Sequence, residues 1–217
     1  MGQYYSPVLQ QENKKKIEVY TTTVNGEFHG MKIMEHSWLE NDLLGAIAFK
    51  IYKNPSRVAW CGDYAEDDEL KALNPSLSYR YIREHAKELK DVTILKQQKN
   101  MYLINHDKKI YIDLKRYSKV AEEFSKGTTW EGWVVHPLSL LTAVGNDRGG
   151  GDYHEGSSTT CFNSVGTWAW NLLSIDTVKP KGYIEEKHII FTEQLNDDNK
   201  HLLQVYGLDC PMVELAK

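Results

Sequence analysis

The residues best equipped for chemistry are gathered in one stretch, Val144-Gly145-Asn146-Asp147-Arg148-Gly149-Gly150-Gly151-Asp152-Tyr153-His154-Glu155-Gly156. Three consecutive glycines let the backbone take positive φ and bring bare amides close to a partner. Beside them stand a fixed cation (Arg148), a histidine that titrates near neutrality (His154) and three carboxylates (Asp147, Asp152, Glu155). The mixture suits a polar ligand, and it equally suits a long hairpin loop kept soluble by its charges. It is not a Walker loop, because no Gly-Lys-Ser/Thr follows, nor a dinucleotide fingerprint, because no G-x-G-x-x-G opens a helix.

Outside this stretch, His36, Trp38, Asp63 and His136 fall at the ends of predicted strands or in the loops after them, where a rigid sheet can aim polar groups. If those ends meet, Trp38 and Trp60, with Trp133 or Trp168, would wall a pocket. An aromatic wall with an arginine and backbone amides fits a base-plus-phosphate ligand: the ring stacks, and the cation and amides take the anion. The candidate ligand-binding set is therefore Arg148, Gly149, Gly150, Gly151, Asp152, Tyr153, His36, Trp38, Asp63 and His136, with a small nucleotide-like ligand as partner. Each member also has a bland reading. A histidine before proline is commonly a hydrogen-bonded structural residue, and tryptophans commonly fill cores.

Two other classes stay open. Two histidines and two carboxylates could carry acid and base roles, or hold a divalent metal, in a hydrolase acting on a nucleotide or phosphodiester. The spacing names no catalytic residue and no metal site: His-x-x-x-His, His-Glu-x-x-His, Cys-x-x-Cys and the Gly-x-Ser-x-Gly elbow are all missing. Cys161 with His136 or His154 is a conceivable nucleophile pair, although a cysteine entering an apolar strand is usually inert. The third class is a protein-binding inhibitor that would use the acidic run Glu66-Asp67-Asp68-Glu69 and exposed tyrosines. With no complete catalytic set, the chain reads as a binder rather than an enzyme, and no cofactor is expected.

The elements that must position these residues follow from the pattern. Gln3 to Leu9 is β-prone but carries Pro7, which fits an edge or a strand end better than a central strand. Lys16 to Thr23 alternates with period two and runs into Asn25-Gly26, a strong hairpin signal, with a return through Phe28 to Met34. Leu43, Leu44, Ile47, Ala48 and Ile51 predict a helix over 39–53, capped by Ser37 or Asn41 and stopped at Asn54-Pro55. Residues 57–64 read as a buried strand, 65–73 as a solvated helix or loop, and 79–89 as a helix. Strands are expected at 92–95, 101–104 and 109–114, the last two joined by a turn at Asn105-His106-Asp107-Lys108. A helix over 115–125 ends at Lys126-Gly127. The apolar runs 130–143, 165–175 and 183–191 are expected as antiparallel strands, the first two joined by the glycine-rich loop, and 200–205 as a strand or short helix.

Hairpin-joined strands with interspersed helices and no regular β-α alternation predict an α+β fold on a mainly antiparallel sheet with about three packed helices. Its 217 residues suit a single domain spanning 1–217, with no repeat or linker to divide it. A net charge of −4 and pI near 6.1 argue against general nucleic-acid binding. Three scattered cysteines make no disulfide framework, and no span or secretory signal is visible, so a reduced, cytoplasmic protein is expected. Met1-Gly2-Gln3-Tyr4-Tyr5-Ser6 matches the loose myristoylation pattern and also reads as the start of a strand. Homo-oligomerisation through a strand edge is a further expectation.

Several blocks carry a resemblance. Met1-Gly2-Gln3-Tyr4-Tyr5, Met34-Glu35-His36-Ser37-Trp38, Trp60 with Gly62-Asp63-Tyr64-Ala65, His136-Pro137-Leu138, and Leu141-Thr142-Ala143 through Gly145-Asn146 to Arg148-Gly149-Gly150-Gly151-Asp152-Tyr153 resemble the recurring blocks of an uncharacterised family of bacterial and bacteriophage proteins. The resemblance spans nearly the whole chain and implies a context rather than an activity: a phage-type accessory protein acting on host processes or host defence. In that context a nucleotide binder would serve as a sponge for a host signalling nucleotide. Cys61, Ser139 and His154 are where this chain is expected to depart from the pattern.

Overall fold

The computed structural model describes residues 3–21, 23–24, 27–28, 31–39, 41–88, 93–128, 131–145, 162–191 and 201–206. Its first strand, β1 (Tyr4–Gln11), is followed by β2 (Glu18–Thr21), a small hairpin of β3 (Thr23–Val24) and β4 (Glu27–Phe28), and β5 (Met31–Lys32). Thr23 pairs with Phe28 and Val24 with Glu27, while Asn25-Gly26, the predicted hairpin turn, lies outside the described residues. Helix α1 (Ile33–His36) leads to α2 (Asp42–Ile51), where the Asn41 side chain accepts the Leu44 amide at 3.2 Å as N-cap. Strand β6 (Ser56–Gly62) precedes α3 (Asp67–Leu73), α4 (Tyr79–His85) and β7 (Ala86–Glu88). The hairpin β8 (Tyr102–Asn105) and β9 (Ile110–Asp113) feeds α5 (Leu114–Ser125), capped by Asp113. Then come α6 (Pro137–Leu141), β10 (Ala143–Val144), β11 (Leu172–Asp176), β12 (Ile184–Glu185) and α7 (His201–Val205).

Ten strands form one mixed sheet, in the order β12-β9-β8-β11-β6-β1-β2-β7, with β10 also on β6 and β5 also on β1. Most pairings are antiparallel; only β6–β10, β9–β12 and β2–β7 are parallel, so the fold is α+β as the sequence predicts. Strand β6 is the organising element, buried at every position except Arg57. One of its edges pairs along its whole length with Tyr5 to Gln11 of β1. The other edge is shared, by β11 at Ser56 and Arg57 and by β10 at Trp60 and Cys61. Alternation along β6 sends Val58 and Trp60 to a core closed by α2, α5 and α6, while Ala59 and Cys61 face a smaller core under α3 and α4.

Several expectations are corrected. Pro7 sits in a central strand, not at an edge. Trp60 donates its amide to Thr142, away from β1, so Pro7, opposite Trp60, has its nitrogen facing outward. There β5 pairs only with Tyr4 and Tyr5, and β2 only with Val8 and Leu9, so the missing N–H meets no strand. The run 130–143 is mostly not a strand. Pro137 at the first helical position and the His136 cap start α6, and its leucines are buried on every side, which makes a short helix look like a buried strand in sequence. Likewise 165–170 is a turn, with Trp168 and Trp170 buried and Trp170 at φ 60, and β10 and β11 do not pair with each other. Of 183–191, only Ile184 and Glu185 are strand, the predicted helix over 79–89 stops at His85, and 93–95 is not strand. Among the described residues no helix is long and apolar enough to cross a membrane.

Candidate functional site

Strands β6 and β10 run parallel and end side by side, at Gly62 and at Gly145 just beyond Val144. Gln3, entering β1, lies against both glycines. A Cβ on Gly62 would overlap the Gln3 carboxamide, and so would one on Gly145. Neither glycine has positive φ, so it is close approach of backbone to side chain, not turn geometry, that requires them. The Gln3 carboxamide accepts a hydrogen bond from the Tyr5 hydroxyl at 2.8 Å, while its Nε2, fully buried, has no acceptor. Arg148, Gly149, Gly150, Gly151, Asp152 and Tyr153 begin three residues after Gly145 and lie outside the described residues, as do Asp147, His154, Glu155 and Cys161.

His36 closes α1 and is fully buried beside Trp60. The Trp60 indole can only donate, and it does so to His36 Nε2 at 2.6 Å, so the neutral imidazole must carry its proton on Nδ1. The rings lie within 18° of coplanar with centroids 5.8 Å apart, the edge-to-edge arrangement an in-plane N–H···N bond produces. Burial pushes the His36 pKa down to about 4, with the Lys32 backbone acting in the opposite direction.

His136 reaches the same layer by another route. Its amide donates to the Ser37 carbonyl at 2.6 Å, and the Ser139 hydroxyl donates to that of Ser37 at 2.8 Å. The His136 ring caps α6 by accepting the Leu138 amide on Nδ1 at 3.0 Å. That fixes the proton on Nε2, which is buried without an acceptor, and burial pushes this pKa down to about 3. Asp63, at the end of β6, accepts the Tyr4 amide at 3.0 Å and returns its own amide to the Tyr4 carbonyl at 2.8 Å. Tyr4 and Tyr64 beside it are exposed.

The structure thus ties His36, Trp38 and His136 together through the backbone around Ser37, and places Asp63 at the strand end that Gln3 closes. Trp60 and Trp168 are buried core residues. Trp38 is largely buried as well, and with the half-exposed Trp133 it lines a separate groove. Cys61 faces the smaller core, and burial pushes its thiol up to about 12, so it is no nucleophile. The acidic run starts α3: Glu69 accepts the Glu66 amide and Asp67 the Tyr79 amide, at 3.1 and 2.8 Å. No group of three His, Cys, Asp or Glu side chains among the described residues could hold a metal ion.

Sequence reasoning missed Gln3, Ser37 and Ser139. Only Gly62 and Gly145 signalled Gln3, as isolated glycines closing strand patterns where another group comes close. It also missed a contact in the β8–β9 turn, where His106 Nε2 meets Ser174 Oγ at 2.8 Å and Nδ1 meets the Tyr183 hydroxyl at 3.2 Å. Ser174 is 4% exposed, and the trio pins the turn to β11. Comparison with protein-family models, curated proteins and solved structures finds no match for this chain, so its geometry has to carry the functional argument.

Proposed function

We propose that the chain binds a small, acceptor-rich ligand of the nucleotide type where β6 and β10 end, with Arg148 to Tyr153 supplying the anion contacts. The observation that carries this reading is a surplus of donors. Gln3 Nε2, beside the strand-end glycines, and His136 Nε2, at the start of α6, are buried N–H groups that meet no acceptor among the described residues. Leaving a buried donor unpaired costs about 1–3 kcal/mol, a cost that phosphate or base acceptors would remove. Gln3 is buried next to the Tyr4–Asp63 contact, and the exposed Tyr4 and Tyr64 are the neighbouring residues that meet solvent.

Binding stands ahead of hydrolysis because each imidazole has one nitrogen committed inside the protein and a pKa too low for an efficient general base near neutrality. In the phage-type setting that the resemblance implies, binding without turnover would sequester a host defence nucleotide in the cytoplasm. Native mass spectrometry after incubation with a nucleotide extract tests this. A mass released intact on denaturation is expected, and it should be lost in Gln3→Met and in Arg148→Ala with both proteins still folded. A ligand returned as products would favour the hydrolase, and no bound mass would move the reading to a host-protein inhibitor.

A further inference from the structure

A second concave site lies apart from the strand ends and does not depend on the reading above. It is a groove of about 490 Å³ between α1, α2, α5 and the segment before α6. Trp38 and Trp133 form its aromatic corner, with ring planes at 83° and centroids 4.7 Å apart. Trp38 is held by a β-bridge to Val135 and by the Leu39 amide donating to Val134 at 3.0 Å. Trp133 is 52% exposed, and Gly132 before it takes φ 83, a conformation that side-chain-bearing residues resist. The chain therefore holds a large aromatic ring half in solvent at a right angle to a fixed one, with Val134 beside them.

Charge on the lining decides what fits. Among the described residues, two carboxylates, Glu122 and Glu35, the latter also accepting the Lys32 amide at 2.9 Å, line the groove against one cation, Lys99, and the edge-to-face indole pair adds the negative side of a ring quadrupole. An anion would meet carboxylates and ring faces; a strongly hydrated primary ammonium would lose its water against Val134 and the indoles. We infer that the groove binds an alkylated ammonium group of the trimethylammonium type, with its methyls against Trp38 and Trp133 and its charge balanced by Glu35 and Glu122.

The test is a calorimetric titration of the full chain with choline, with free trimethyl-lysine, and with 3,3-dimethylbutan-1-ol, the neutral carbon isostere of choline. The two cations distinguish a free small molecule from a modified side chain as the source of the group. Saturable binding of at least one is expected, about tenfold tighter than the isostere. Trp133→Leu should abolish it. Glu122→Gln should weaken it several-fold and Lys99→Gln should tighten it, both at exposed positions where folding is not at stake. Equal affinity for the isostere, weaker binding in Lys99→Gln, or no saturation with either cation would overturn the assignment. Gln3→Met should leave it unchanged, so its failure is separate from failure of the nucleotide site.

Discussion

Two fully buried neutral histidines make this fold acid-sensitive in a window where carboxylates are still ionised. In the unfolded chain both imidazoles titrate near the ordinary value, about 6.5. In the folded chain burial holds them down, His36 to about 4 and His136 to about 3. The folded state therefore binds fewer protons, so stability is intact above pH 6.5 and falls as pH drops toward those lower values. Two missing protons give a limiting slope of about 2.7 kcal/mol per pH unit, and from pH 7.5 to 5.0 the loss is about 4 kcal/mol. Against a typical total of about 5–15 kcal/mol that loss is decisive. Urea unfolding followed by tryptophan fluorescence at pH 7.5, 6.5, 5.5 and 5.0 measures it directly. His136→Asn keeps an N-cap acceptor for Leu138, and His36→Gln keeps an acceptor for Trp60. The double variant should therefore lose most of the slope. A wild-type slope below half a proton, or one unchanged in the double variant, would refute the assignment of these rings as neutral and buried.

Other consequences can be measured alongside. Gly62→Ala should destabilise by about 1–3 kcal/mol, since the new methyl would overlap Gln3, and the loss should shrink in a Gln3→Ala background when urea midpoints are compared. Trp60→Phe should cost more than its small volume change, about 1–3 kcal/mol beyond it, because His36 Nε2 would lose its donor in the core. With Cys161 and Cys210 replaced by serine, Cys61 should react with a thiol reagent only as fast as the protein unfolds; rapid labelling of native protein would contradict its burial.

The sequence was most informative where local chemistry and packing agree. The apolar stripe and Asn41 define α2, and Gly127 at φ 71 follows α5 as a helix-ending glycine should. It misled where tertiary context overrides a local rule. Pro7 excludes a central strand only if both edges of that strand are paired at that residue, and the stagger of β2 and β5 along β1 is invisible in the sequence. The leucines of α6 lost their helical period because every side of that helix is covered. For the site, polar residues at strand ends were the readable part. The tie from His36 to Trp60 joins residues 24 apart, and that from Ser139 to Ser37 joins residues 102 apart, so no spacing rule could reveal them.

The surplus of buried donors also distinguishes a ligand-binding Gln3 from a structural one. A structural glutamine earns its place through satisfied hydrogen bonds, so removing it destabilises the protein. A glutamine whose Nε2 awaits a ligand is a burden on the ligand-free protein. Gln3→Met alone would strand the Tyr5 hydroxyl that now donates to it, so the informative variant combines Gln3→Met with Tyr5→Phe. That pair keeps shape and removes the hydrogen bond together with the unpaired donor. The expected result is a ligand-free protein as stable as the parent, or up to about 3 kcal/mol more stable, that no longer retains the nucleotide-type ligand. A double variant less stable than the parent by more than about 1 kcal/mol would mean that the carboxamide is fully satisfied in the free protein, and the donor argument for a site at the strand ends would fail with it.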